Sequence, residues 1–165
     1  MRNIIIRIAS INDIDDILSI YNEGIEDRIA TLETSTKDKA FMLAWFHQHT
    51  GRFKVIIAEV EGEIVGWASL NQYNSRSAYD GVADLSVYVR RDYRGRGVGG
   101  KLLSTIEKLA KENAFHKIVL FTFPFNKLGQ GLYKKSGFRE VGVFKSQGKI
   151  GDQFIDVMAM EKLLV

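Results

Sequence analysis

Apolar and polar positions change their period along the chain, and the changes mark out an order of elements. Residues 4–9 form an apolar run of strand length. Ser10 with Asp13 three positions on is a helix-start signal, and Ile14, Ile17, Leu18, Tyr21 and Ile25 then recur at helical spacing. Ser35 with Asp38 repeats the signal ahead of Phe41, Met42, Trp45 and Phe46. Residues 53–60 and 64–70 are apolar runs joined by Glu61-Gly62-Glu63, which predicts a hairpin. Residues 71–81 are polar and turn-rich. Ala83, Leu85, Val87 and Val89 alternate with Asp84, Ser86, Tyr88 and Arg90, the period of a strand. Leu102, Leu103, Ile106, Leu109 and Ala110 give the next helix its core stripe. Residues 118–123 read as a strand, 126–136 as a helix ending at Gly137, and 138–144 and 153–160 as two last strands. The order β-α-α-β-β-β-α-β-α-β-β, without linker or repeat, predicts one α/β domain over residues 1–165, with a mixed central sheet flanked by about four helices.

Composition narrows the class. The 165 residues suffice for one domain with an ordinary core. No apolar run approaches the roughly 20 residues of a membrane-spanning helix, and Arg7 and Asp13 interrupt any signal-peptide pattern, so the expectation is a cytoplasmic protein with no membrane partner. The absence of cysteine excludes a disulfide framework, a thiolate metal site and a cysteine nucleophile. No serine lies in a nucleophile–base motif, so a group-transfer reaction would proceed without a covalent enzyme intermediate. The net charge of +3 comes with no aromatic-interleaved basic motif, which favours an anion site over a nucleic-acid footprint. His47 and His49, two apart on a helix, point to different faces and read as surface residues; no metal site is expected.

The candidate anion site is Arg94-Gly95-Arg96-Gly97-Val98-Gly99, between a strand and a helix. Glycines let backbone N–H groups approach a ligand, a helix start aims unpaired N–H groups at it, and arginines add charge, which together suit a pyrophosphate. Gly95, Gly97 and Gly100 match the dinucleotide fingerprint, but residues 113–139 hold no acidic residue to bind a ribose. Gly100-Lys101-Leu102 fails the Walker pattern.

This loop resembles the acyl-CoA loop, R/Q-x-x-G-x-G, of the GNAT superfamily of N-acetyltransferases. Asn126 followed by Leu132-Tyr133-Lys134-Lys135-Ser136-Gly137-Phe138 resembles a second segment of the same superfamily. Ile20-Tyr21-Asn22, Arg76-Ser77-Ala78-Tyr79-Asp80 and Ser86-Val87-Tyr88-Val89 are similar to the branch that acetylates phosphinothricin, methionine sulfone and methionine sulfoximine. Where that branch usually has Glu, this chain has Asp84, one methylene shorter, and it lacks the His that some members carry in the last hairpin.

The resemblance implies acetyl-CoA as co-substrate, held by Val87, Tyr88, Val89, Arg94, Gly95, Arg96, Gly97, Val98, Gly99 and Asn126. It places a small amino-acid-like amine near Arg76, Ser77, Ala78, Tyr79, Leu85 and Ser86, and it implies a homodimer. Asp84 is the candidate base for the amine, or else a structural carboxylate; Tyr133 is the candidate donor to the leaving thiolate, or else an ordinary helix tyrosine. Asn126 bonds the pantetheine arm, caps a helix, or does both. Arg76 offers a planar fork for a carboxylate, phosphinate or sulfone oxygen. A peptide or protein amine as acceptor, or a non-catalytic acyl-CoA-binding module, remain the other readings.

Overall fold

The computed structural model describes residues 3–165. The elements are β1 (Ile4–Ile8), α1 (Ile14–Asp27), α2 (Lys39–Gln48), β2 (Val55–Val60), β3 (Glu63–Gln72), β4 (Val82–Val89), α3 (Val98–Glu112), β5 (Lys117–Thr122), α4 (Lys127–Lys135), β6 (Arg139–Ile150) and β7 (Gln153–Leu163). They occur in the order that the hydrophobic pattern predicts. One seven-stranded sheet runs β1-β2-β3-β4-β5-β7-β6, antiparallel except where β4 lies parallel to β5.

Two apolar layers sandwich the sheet, because alternate strand residues face opposite sides. Ile14, Ile17 and Ile20 of α1 and Met42 of α2 meet Val55, Ile57 and Trp67 on one face. On the other, Leu102, Leu103, Ile106 and Ala110 of α3 meet Ile56, Ala58, Ala68, Leu70, Ala83 and Leu85. Leu132 and Tyr133 bring α4 to the same face as α3.

The helix starts show local chemistry deciding boundaries. Asp13 Oδ2 accepts from the Ser10 N–H at 2.7 Å, and the Arg7 guanidinium grips both Asp13 oxygens at 2.8 and 2.9 Å. This ties the end of β1 to the start of α1, and the Arg7 pairing holds the Asp13 carboxyl below its ordinary range. At α2 the cap is Asp38 itself, accepting from the Phe41 N–H at 2.9 Å. The Ser35/Asp38 box predicted from spacing is thereby corrected: Asp38 is a better oxygen acceptor one turn closer to the apolar residues. Gly137, at φ +94°, ends α4 as predicted.

The last hairpin is longer than its hydrophobic pattern. β6 runs to Ile150, through the polar stretch Lys145–Lys149, because pairing with β7 resumes at Gly148 after an irregularity. Asp156 stabilises that break by accepting from the Ser146 N–H at 2.8 Å.

Ile17 is fully buried between α1 and the sheet. Ile17→Ala is expected to cost about 2–5 kcal/mol, read as a lowered midpoint in urea denaturation with an unchanged slope.

Candidate active site

The sheet comes apart where the site forms. β4 pairs with β3 from Ala83 to Val89, and β5 pairs with β7 along its whole length. Between β4 and β5 the register contains only Val82, Ala83 and Asp84 against Lys117, Ile118 and Val119. Beyond Asp84 the two parallel strands diverge, and a cleft opens outside their carboxyl ends, the usual ligand position in such sheets.

One arm of the cleft, a cavity of about 170 Å³, is walled by Val87, Tyr88 and Val89, by Tyr93, Arg94, Gly95 and Gly97 of the following loop, by the start of α3, by Asn126 and by Gly129, Leu132 and Tyr133 of α4. Gly95 and Gly97 adopt left-handed φ values of +76° and +89° and would give a Cβ only open space. Packing therefore does not explain them; the backbone turn does, because it needs left-handed φ values where it leads into the start of α3 beside the cavity. Gly99 has another reason: a Cβ there would lie 2.7 Å from Leu132 Cδ2, so it lets α3 and α4 approach.

Carboxylates of α1 brace this loop. Asp27 accepts from Arg94 Nη1 at 2.7 Å and from Arg91 Nη2 at 2.7 Å, and these partners hold its carboxyl below the usual range. Arg94 also donates to the Val89 carbonyl at 3.2 Å. Asn126 caps α4 by accepting from the Gly129 N–H at 3.1 Å while facing the cleft. A Cβ on Gly129 would meet Asn126 Nδ2 at 2.5 Å, so the cap requires that glycine.

The other arm holds Asp84, Leu85, Ser86, Leu120, Phe121 and Thr122, with Ala30 above and Asn126 and Tyr133 shared with the first. Asp84 is half-buried, and burial pushes its carboxyl up to about 6; a hydrogen bond from Asn71 Nδ2 at 3.1 Å works against that rise. Burial likewise pushes the Tyr133 phenol up to about 12. Tyr88 is raised further by desolvation, with its ring stacked on Trp67 and against Gly24.

Of the residues singled out from sequence, Asp84, Leu85, Ser86, Val87, Tyr88, Val89, Arg94, Gly95, Gly97, Gly99, Asn126 and Tyr133 line this one cleft. Arg96 and Val98 line a neighbouring cleft with Asn3, Ile4, Val60 and Lys101. Arg76, Ser77, Ala78 and Tyr79 form an exposed turn ahead of β4 and are not among the described residues lining either arm. Sequence reasoning missed Gly24, Ile29, Ala30, Phe121, Thr122 and Leu128, which no local pattern distinguishes from ordinary helix, loop and strand residues. It also misplaced His49, read as a surface residue: His49 is half-buried and hydrogen-bonded to Trp45 and Asn71.

A parted pair of parallel strands, a glycine turn feeding a helix start, and a raised carboxyl facing a phenol form one connected arrangement. The L-methionine sulfoximine/L-methionine sulfone acetyltransferase of Pseudomonas aeruginosa is 29% identical over 158 residues, covering 94% of this chain and 92% of that protein. The crystal structure of a GNAT superfamily phosphinothricin acetyltransferase from Sinorhizobium meliloti in complex with AcCoA is 25% identical, with a TM-score of 0.92 over 97% of this chain and 88% of that one. A ribosomal-protein-alanine N-acetyltransferase structure from Brucella melitensis is 29% identical, with a TM-score of 0.93 over 96% of this chain and 99% of that one. Residues 14–138 match the acetyltransferase (GNAT) family, and the chain is a member of that family, an acyltransferase.

Proposed function

We propose that this enzyme moves the acetyl group of acetyl-CoA onto the amine of a small amino-acid-like acceptor, of the methionine sulfone, methionine sulfoximine or phosphinothricin type, by direct transfer. The observation that carries it is the continuity of the cleft, from the glycine turn at one end to Asp84 at the other. The names of the relatives favour that acceptor class.

The residues present suit acetyl-CoA, which supplies the acyl group in activated, thioester form. The N–H groups at the start of α3 and the Gly95–Gly97 turn would hold the pyrophosphate. The edge of β4 that β5 leaves free, at Val87 to Val89, would receive the pantetheine arm and place a backbone N–H against the charge that develops on the acyl oxygen. With Arg94 engaged by Asp27, backbone groups rather than guanidinium charge carry the phosphate contact.

An amine attacks only when neutral. An α-amino group has a pKa of about 7.7–8.0, so a carboxylate at its ordinary value lies about four units below it and Asp84 at about 6 lies only about two below. Burial thus makes Asp84 a better proton acceptor, directly or through one water. Tyr133 keeps its proton at every working pH. Passing that proton fully to a thiolate, with a pKa of about 8.5, would be uphill by about three to four units, so Tyr133 acts by hydrogen bonding the departing sulfur. The exposed Val141, Val143, Phe144 and Phe154 of the outer hairpin favour a homodimer joined there. In keeping with a cytoplasmic setting, no helix among the described residues is long and apolar enough to cross a membrane.

Thiol release from acetyl-CoA, followed over a panel of amino acids, their sulfone and phosphinate analogues and N-terminal alanine peptides, tests the reaction class. Turnover of peptides alone would redirect the acceptor, and no turnover with tight acetyl-CoA binding would indicate an acyl-CoA-binding module. Gly97→Val, which forces a branched side chain into a left-handed turn, is expected to raise the acetyl-CoA KM more than tenfold with the acceptor KM little changed.

Asp84→Asn is expected to lower kcat by about 10²–10⁴-fold near neutral pH, with the loss shrinking as pH rises and free amine becomes plentiful. Wild-type kcat/KM should rise with pH through about 6, as the carboxylate forms. The same variant is expected to be the more stable protein. A carboxyl raised from 3.8 to about 6 in the folded state costs stability above pH 6, up to about 3 kcal/mol, and nothing below the unfolded value. Thermal melts should show a higher Tm for Asp84→Asn at pH 8 and no difference below pH 4. Tyr133→Phe should lower kcat without changing the acceptor KM; a loss smaller than threefold would assign Tyr133 to packing.

A further inference from the structure

Asn71 connects Asp84 to a histidine that acetyl transfer as described does not use. His49 follows α2 and packs its ring against Trp45, with centroids 4.4 Å apart. Its Nδ1 lies 2.8 Å from the Trp45 carbonyl oxygen and its Nε2 lies 2.7 Å from Asn71 Oδ1. Asn71, on β3 opposite Asp84, turns its other amide atom to the site: Nδ2 donates to Asp84 Oδ2 at 3.1 Å and to Ser86 Oγ at 3.0 Å. Ser69 Oγ donates to Asn71 Oδ1 at 2.9 Å.

Donor and acceptor roles along this chain are interlocked. A carbonyl only accepts, so His49 Nδ1 carries a hydrogen. A carboxylate only accepts, so Asn71 must present its NH₂ to Asp84 and its oxygen to His49. His49 Nε2 then donates as well, so in this arrangement the ring is an imidazolium cation. Were Nε2 to accept instead, the amide would have to turn over, bringing Oδ1 against an Asp84 oxygen, a repulsive contact unless Asp84 holds a proton. The hydroxyls of Ser69 and Ser86 rotate to suit either arrangement and do not decide between them. The deciding groups are His49 and Asp84, at the two ends.

We propose that His49 is a positioning residue for the acetyl transfer: by donating to Asn71 Oδ1 it holds the amide so that Nδ2 faces the Asp84 carboxylate and keeps it charged. The role rests on Asp84 as the base. Among the described residues that line this arm with Asp84, the other titratable groups are the Tyr88 phenol, further along β4, and the Tyr133 phenol of α4, both of which burial keeps protonated. On the His49 side the contacts are the Trp45 ring and carbonyl and, through Asn71, Asp84 itself. The hydrogen bond from Asn71 lowers the Asp84 carboxyl against the rise that burial causes, so loss of either Asn71 or its orientation should move Asp84 upward.

The test follows the Asp84 side-chain carboxyl by ¹³C NMR against pH, with no substrate present, in the wild type, Asn71→Ala, His49→Phe and the double variant. His49→Phe keeps an aromatic ring on Trp45. Asn71→Ala should raise the Asp84 midpoint by about one unit, the size of one hydrogen bond to a charged group. His49→Phe should raise it in the same direction, and the rise that His49→Phe adds in the Asn71→Ala background should be much smaller than in the wild type, because His49 acts chiefly through Asn71. With acetyl-CoA and L-methionine sulfone, the acid limb of kcat/KM should move by the same amount while the acetyl-CoA KM stays. A lowered Tm in His49→Phe with an unmoved Asp84 midpoint would reduce His49 to a structural role and overturn the proposal, as would additive shifts. The wild type alone offers a second check: ¹⁵N spectra should show hydrogens on both His49 ring nitrogens while Asp84 is charged, and a bare Nε2 there would also overturn it. An acid limb that survives in Asp84→Asn would instead remove Asp84 as the base, an outcome that leaves the NMR midpoints to judge His49 separately.

Discussion

The parting of β4 from β5 after three residue pairs is the constraint on which the rest of the molecule depends. Each strand has a full antiparallel partner on its other side, so the two halves of the sheet are stable without a longer shared edge. The twist of the strands then carries their carboxyl ends apart. A backbone edge is left unpaired in the middle of a sheet, where it faces a cleft instead of solvent. Such an edge is an aggregation liability in most folds. Here it is sheltered by α4 below and by the α1–α2 connection above, and it becomes the surface on which an extended thioester arm can be aligned.

Around that opening, charged side chains are spent on the scaffold and backbone groups are left for the ligand. Asp27 holds Arg91 and Arg94. Asp16 holds Arg90, whose Nε also reaches the Ile64 carbonyl at 2.8 Å. Asn22 bonds both the N–H and the carbonyl of Lys37 and so fixes the connection over the cleft. A site built this way would recognise a phosphate by fixed N–H groups, which lose little freedom when the ligand arrives, whereas free arginines would have to be ordered first.

Burial does opposite work on the two polar groups of the transfer. For Asp84 it raises a carboxyl toward the range of the amine that it is proposed to deprotonate, at the expense of folding stability above pH 6. For Tyr133 it removes the anion from the accessible range and keeps a hydrogen-bond donor in place. Asn71 moderates the first effect, since its amide hydrogen bond favours the charged carboxylate, the form that accepts a proton.

The succession of elements, the two apolar faces and the glycine turn were legible in the sequence because each is written in local periodicity or in residues with special backbone freedom. The stop at Gly137, just past α4, and the hairpin at Gly62 belong to the same class, being settled by chemistry within a few positions of the chain. Asp84 and Tyr133 were legible only because neighbouring motifs marked the segments in which they lie. What tertiary structure alone decided is what those segments face. Arg94 and Arg96 are equivalent in the sequence, yet one is clamped by Asp27 from 67 positions away and the other turns over the Tyr93 ring toward a different cleft. His49, just past the end of α2, meets Asn71 across 22 positions. Arg76 to Tyr79, marked by motif, lie on an exposed turn outside both arms of the cleft. Local sequence specifies conformation through interactions a few residues long, whereas partners distant along the chain are chosen only when the sheet order brings them within hydrogen-bonding distance.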